Sequence, residues 1–386
     1  MDSRPRLVFV TAATMAIGTF PIVVFSVLAA DLIEEFDVQR WQIGLLVTAN
    51  AVVGAFLSPV FGSLTDRLGA NRSTAYVLIT GAGAIGLISL SPTYLLLIGA
   101  TLLSGIPQGW CNPASNALIV QNVPEGRRGV ITGIKQSGVQ FGIFLGGALL
   151  PILATGLGWR LGLATFIVIP LAGLLGVRPG ANVRGAGAAR NDRGELSSFV
   201  NWVSIYGFLS GVGSSAMLAF LPLFAEEDQL WDPVQAGWLV AGIGLVGIGA
   251  RIGWGAVSHS WFGHGKTLFI LALISAGSAT MLALAAGGVV DTWVLVPGAL
   301  LLGAGAVAWN SVGMLAVMDY SPASMVGRGT GRVLLGFLLG LAVGPPVMGF
   351  SVDRLDSYLA GWVTIVAIFL ISAIAARRVK PPLAAS

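Results

Sequence analysis

The sequence predicts an all-α membrane protein, with about twelve transmembrane helices in two pseudo-symmetric six-helix bundles and both termini cytoplasmic. Three observations carry that prediction: a composition too apolar for water, apolar runs of helix length along the whole chain, and a motif pattern that recurs across its middle. Hydrophobic residues fill 55% of the 386 positions and charged residues 10%, against roughly 25% charged in soluble domains. So few charges cannot cover a water-exposed surface. A bilayer core about 30 Å thick requires about 20 apolar residues per helix. Strands of a closed barrel would alternate in polarity, whereas these runs are apolar all round.

Run 7–29 follows a short polar head and lacks a small-residue cleavage site, so it reads as a first span rather than a signal peptide. Run 42–62 follows a loop rich in acids, Asp31, Glu34, Glu35 and Asp37. Runs 75–92 and 94–117 come next; the second carries Gln108, Asn112 and Asn116 at i, i+4 and i+8, hence on one face. Run 130–152 is glycine-rich and contains Lys135, and run 159–177 completes the first set. Residues 178–198 have no hydrophobic period and read as a cytoplasmic linker between an N-terminal bundle, 1–177, and a C-terminal bundle, 199–386. The second set comprises runs 199–224 with Tyr206, 234–257 with Arg251, 267–286, 293–317 with Trp309 and Asn310, 331–351 and 359–376.

Charge orients these spans. With the amino terminus inside, the outer loops carry only Arg40, Arg160 and Arg354, while Arg4, Arg6, Arg67, Arg72, Arg127, Arg128 and a further series ending at Lys380 fall inside. That is the positive-inside bias, and it accounts for the net charge of +4 without nucleic acid. The single cysteine, Cys111, permits no intramolecular disulfide.

The repeat supports the division. Gly44, Gly54 and Gly62 recur 193 positions later as Gly237, Gly247 and Gly255; Pro124, Gly142 and Gly146 recur 198 positions later as Pro322, Gly340 and Gly344. Gly158-Trp159 is echoed by Gly361-Trp362. Parallel six-helix repeats are a transporter architecture that holds its substrate near the midplane.

After the second run the chain reads Gly62-Ser63-Leu64-Thr65-Asp66-Arg67-Leu68-Gly69-Ala70-Asn71-Arg72. This resembles the Gly-x-Leu-Ala-Asp-Arg-x-Gly-Arg-Arg signature of the major facilitator superfamily, departing at Ala70. The resemblance implies the two-bundle fold of secondary transporters working by alternating access, and gating roles for Gly62, Asp66, Arg67, Gly69 and Arg72; capping of a tight loop is the plainer alternative. Gly138, Gly142, Gly146 and Gly147 are similar to a Gly-x-x-x-Gly-Pro-x-x-Gly-Gly signature of antiporters, with Ile143 in place of proline, and read as helix-packing positions. Gly105 stands where drug–proton antiporters usually carry arginine.

An ionisable side chain within a span is costly and marks a candidate site. Lys135 and Arg251 qualify, and neither has an acid along its own helix. Arg251-Ile252-Gly253-Trp254-Gly255 is similar to the Arg-x-x-x-Gly stretch of monocarboxylate transporters, in which arginine pairs with the substrate carboxylate; Gly247 replaces their aspartate. The resemblance brings both cations near a central cavity, where a bound anion would relieve their repulsion. The alternatives are an inner-gate role for Arg251 and a snorkelling one for Lys135. Gln108, Asn112, Asn116, Tyr206, Trp309 and Asn310 are candidate cavity residues, with interhelical hydrogen bonding as the other reading.

No metal-site or nucleophile constellation suggests an intramembrane enzyme, and a channel is the other rival. The expected function is secondary transport of a small, monocarboxylate-like organic anion; the alternative is an efflux antiporter for a neutral or amphipathic compound. The expected partners are that solute, with a coupled proton or an exchanged anion, and the lipid bilayer. Neither cofactor, metal nor nucleic acid is expected. The resemblance implies a monomer, and the composition resembles that of a bacterial inner-membrane protein.

Overall fold

A computed structural model describes residues 3–177, 197–321 and 325–380. The expected linker, 178–198, lies outside them except for its last two residues, and Pro322 also lies outside. The N-terminal helices are α1 (Ser3–Val27), α2 (Ala29–Phe36), α3 (Arg40–Leu68), α4 (Ala70–Ser89), α5 (Tyr94–Asn122), α6 (Glu125–Leu157), α7 (Trp159–Thr165) and α8 (Val168–Gly176). The C-terminal helices are α9 (Ser198–Glu227), α10 (Pro233–Val257), α11 (His264–Ala286), α12 (Leu295–Ala304), α13 (Trp309–Tyr320), α14 (Val326–Leu355) and α15 (Tyr358–Ala376).

Among the described residues eleven helical segments have the length and apolarity to cross a bilayer, with α7–α8 and α12–α13 each making one. The expected third span is α4, whose 20 residues are long enough. Its polar first turn, Asn71-Arg72-Ser73-Thr74, dilutes its apolar character.

Backbone geometry supports the repeat. Asp37 and Leu230, 193 positions apart, both take positive φ, 49° and 57°. Gly69 and Gly263 take 84° and 73°, but lie 194 apart. The extra residue is absorbed by a π-helical turn, Ser258–Phe262, that ends α10; a one-residue insertion into an α-helix produces such a bulge.

The glycine stripes repeat too. A methyl group on Gly138, Gly142 or Gly146 of α6 would meet Ala12, Ala16 or Phe20 and Val23 of α1; the glycines 198 positions later, Gly336, Gly340 and Gly344 of α14, meet Ser204, Phe208 and Val212 of α9. Glycine here permits backbone approach in a medium where helices associate by close packing.

One echo is shifted. Trp159, which opens α7, donates to Glu35, and Tyr358, which opens α15, donates to Glu227 at 2.6 Å. The contact that Trp159 makes is thus matched in the second set by Tyr358 rather than by Trp362. Burial raises the Glu35 pKa, but hydrogen bonds from Arg160 and Trp159 and the charge of Arg160 together hold it below the usual carboxylate value.

The two sets of helices meet along two seams, α3 on α14 and α6 on α10. In the first, Gly44 lies against Pro345 and Pro346, Gly349 lies against Trp41, and the Thr48 hydroxyl donates to the Ala342 carbonyl. Arg40 closes this end, with Nε 2.8 Å from Glu227 and a guanidinium N–H 3.3 Å from Asp353. The Trp41 amide also donates to Asp353 at 2.9 Å. At the other end the helices diverge. An added Cβ at Gly62 or Gly331 would meet nothing within 4 Å.

Candidate functional site

Between the seams lies a cavity of about 300 Å³ whose wall includes Gln108, Asn112 and Asn116 from α5, Gln136 and Gln140 from α6, and Arg251 from α10. The i, i+4, i+8 spacing on α5 places its three amides on this wall. From α13, Trp309 and Asn310 also line it.

Arg251 owes its position to a break in the helix opposite. The chain leaves helical geometry at Gly305 (φ −101°, ψ −91°) and resumes at Trp309. Carbonyls near the break lose their helical partners, and α10 supplies substitutes. Arg251 Nε donates to Val307 O at 3.3 Å and Trp254 Nε1 donates to Ala304 O at 2.9 Å. A further guanidinium N–H reaches Gln136 O, across the seam in α6, at 3.2 Å. A guanidinium has five N–H donors, so three remain, and no carboxylate among the described residues pairs with them. The group is a half-satisfied cation facing a cavity.

Lys135 is arranged differently. It is 0% exposed and stands behind the wall rather than in it. Its ammonium donates to Asn116 Oδ1 at 2.6 Å and to Asn112 Oδ1 at 3.1 Å. The sequence suggests two unpaired cations facing one another, but the structure gives Lys135 two amide partners. Tyr206 is also displaced from its expected place. It is buried in the C-terminal core, donates to Leu268 O at 2.9 Å and packs against Trp309 with the rings tilted at 53° and their centroids 5.8 Å apart.

The signature loop lies at the divergent end. Gly69 holds the φ of 84° that turns α3 into α4, a conformation that other residues rarely adopt. Asp66, Arg67 and Arg72 are exposed and form no ion pair with another described residue. Gly147 faces α10, where a Cβ would press on Gly237 and Ala241.

Two features escape the sequence reading. Gln140 is 0% exposed, and neither polar atom of its amide has a partner among the described residues. It lies against Gly247, where an added Cβ would stand 2.6 Å from its Oε1, so it occupies the space that the missing aspartate leaves. The i, i+4 spacing of Gln136 and Gln140 is the signal that could have revealed it. The Arg40–Glu227–Asp353 latch gives no such signal, since its members lie at the ends of three helices, α3, α9 and α14, far apart in sequence.

The Major Facilitator Superfamily profile matches residues 7–307 and 203–386. An uncharacterised MFS-type transporter of Mycobacterium tuberculosis strain H37Rv is 27% identical over 334 residues, 83% of this chain and 70% of that protein. Shorter stretches resemble a gallate transporter of Pseudomonas putida, 27% identical over 40% of this chain and 34% of that one, and a multidrug resistance efflux pump of Streptococcus pneumoniae, 28% identical over 30% and 29%. In fold, the chain superposes on a D-xylose–proton symporter with a TM-score of 0.82, covering 97% of each chain at 16% identity.

Proposed function

We propose that this chain, which belongs to the major facilitator superfamily and is a multi-pass secondary transporter of the inner membrane, carries a small organic anion bound by Arg251 between its two sets of helices. The single observation behind this reading is the guanidinium with three free donors and no carboxylate partner, facing a cavity of about 300 Å³. A carboxylate fits it, because planar bidentate pairing is the strongest bond that a guanidinium makes. The similarity to a gallate transporter over part of the chain agrees with an anionic cargo. The similarity to a multidrug pump supports the second reading, efflux of an amphipathic compound, which the apolar part of the cavity wall, Val139, Ile143, Leu334 and Phe337, could accommodate.

Positive-inside charge supports a cytoplasmic Asp66 end. In that orientation the sealed Arg40 end faces outward and the cavity opens inward. The two sets of helices, residues 1–177 and 199–386, rock about the cavity; an anion bridging Arg251 and the α5 wall would favour the state in which both walls close on it. Asp66 and Arg67, which pair with no described residue here, would find partners when their end closes.

Counterflow of labelled monocarboxylates and dicarboxylates in proteoliposomes tests the reading. Saturable exchange that falls at least tenfold in Arg251→Gln, with the protein still folded, is expected. Exchange unaffected by the substitution, or absent for every carboxylate, would leave the amphipathic compound as the better cargo.

A further inference from the structure

Lys135 is enclosed, so it cannot touch a solute in the cavity, and yet it bears on the cavity through Asn112 and Asn116. An ammonium has three donors and no acceptor. Each asparagine that bonds it must therefore turn its carbonyl oxygen inward, and the distances of 2.6 Å and 3.1 Å to the two Oδ1 atoms show both doing so. The other end of each amide, the Nδ2 amino group, then points away from Lys135. Both residues line the cavity, and neither amino group donates to a described residue. Without the ammonium, either side-chain amide could face the cavity oxygen-first or nitrogen-first at similar cost.

We propose that Lys135 is a positioning residue that fixes the polarity of the α5 wall, so that Asn112 and Asn116 present only N–H donors to the cargo. The inference rests on the anion reading of the cavity and narrows it. Two donor-only amides on the wall that faces the Arg251 side accept a carboxylate, carbonyl or ether oxygen at their level, while Gln108, one turn along α5, keeps an unbonded side-chain oxygen. At that level the pair disfavours ammonium groups, which would meet N–H donors on one side and a cation on the other. Lys135 also raises the potential of the wall from behind, with two of its three N–H donors held by the two oxygens.

The test is equilibrium binding of labelled lactate, benzoate and succinate to the purified full chain in nanodiscs, with choline as the cationic probe. Asn116→Asp is the most informative variant. It is isosteric, its carboxylate pairs with Lys135 and so retains the buried contact, and it removes an amino group from the cavity. Anion binding about tenfold weaker or worse is expected, with thermal stability maintained. Lys135→Met should weaken the anions to a similar degree, and Lys135→Arg, which keeps a donor-only head group, should restore most of the affinity. In an Asn116→Ala background, Lys135→Met should cost much less than it does alone, because the lysine acts through the amide. Asn116→Asp binding anions like the parent, or Lys135→Met costing as much with Asn116→Ala as without it, would overturn the proposal while leaving the Arg251 reading intact. Failure of the parent protein to bind any of the three anions would overturn both.

Discussion

The two ends of the α3–α14 seam are made of similar residues and do opposite things. At the Arg40 end, Gly44 and Gly349 let backbone meet backbone, and an arginine is shared by two carboxylates from the other set of helices. At the Asp66 end, Gly62 and Gly331 also sit on α3 and α14 and an aspartate and two arginines are close by in sequence, but a Cβ added at either glycine would meet nothing within 4 Å and the three charges pair with no described residue. Small residues and charges therefore do not close a gate by themselves. Closure requires the opposing helix to approach within bonding distance, and a rigid helix pair that touches at one end diverges at the other. The same physics explains why the seal must be labile: it rests on one shared cation and a few close contacts, each of modest energy.

The largest effect is expected from Gly44→Ala. Its new Cβ would lie 2.5 Å from Pro346 N and 2.6 Å from Pro345 C, backbone atoms that cannot rotate away. Overpacking of this kind costs about 1–3 kcal/mol, a shift of roughly five- to 150-fold away from the sealed state. A cysteine at Thr48, whose hydroxyl now bonds across the seam, should become reactive to a membrane-impermeant maleimide when the seam parts. If it stays protected, the close approach is not what holds the seal. Arg40→Ala comes next. The arginine is 30% exposed, so its pairs are partly screened and together contribute about 1 kcal/mol, or roughly a fivefold shift in the same assay. High salt should mimic that substitution and have little effect on Gly44→Ala.

The smallest effect concerns Glu35, which joins Arg160 and Trp159 within the N-terminal set and so lies off the seam. Its pKa is lowered on folding. The resulting stability is therefore present above the unfolded carboxylate pKa and is lost as pH falls through the lower folded value. Glu35→Gln should lower thermal stability slightly at neutral pH, by less than about 1 kcal/mol, converge with the parent in acid, and leave Thr48 reactivity unchanged. Altered seam opening in this variant would show that the two ion-pair groups are coupled.

Much of the fold is legible in the sequence because the bilayer makes the signal strong. Every expected span corresponds to helix in the structure, and Gln108, Asn112 and Asn116 share the cavity wall because helical periodicity is local. Features that depend on other helices were not legible. The break at Gly305 sits in an apolar Gly-Ala stretch with no proline to announce it. Tyr206 in a helix reads the same whether it faces a cavity or donates to a neighbouring carbonyl. Lys135 looks like a lone intramembrane charge because its partners are on α5, 19 and 23 positions away. The π turn is a single inserted residue, visible only as a change of offset from 193 to 194 once the backbone angles of Gly69 and Gly263 are compared.

The most direct test uses a cysteine at Gly331, where an added side chain meets nothing within 4 Å, in a Cys111→Ala background that removes the only native thiol. Its labelling by an impermeant maleimide is followed in inside-out vesicles, with and without a saturating carboxylate. Fast labelling from the cytoplasmic face, slowed by the anion in the otherwise unmodified protein but not in Arg251→Gln, is the expected result. Equal labelling with and without the anion, or labelling from the outer face alone, would contradict an anion site at Arg251 that governs an inward-opening cavity.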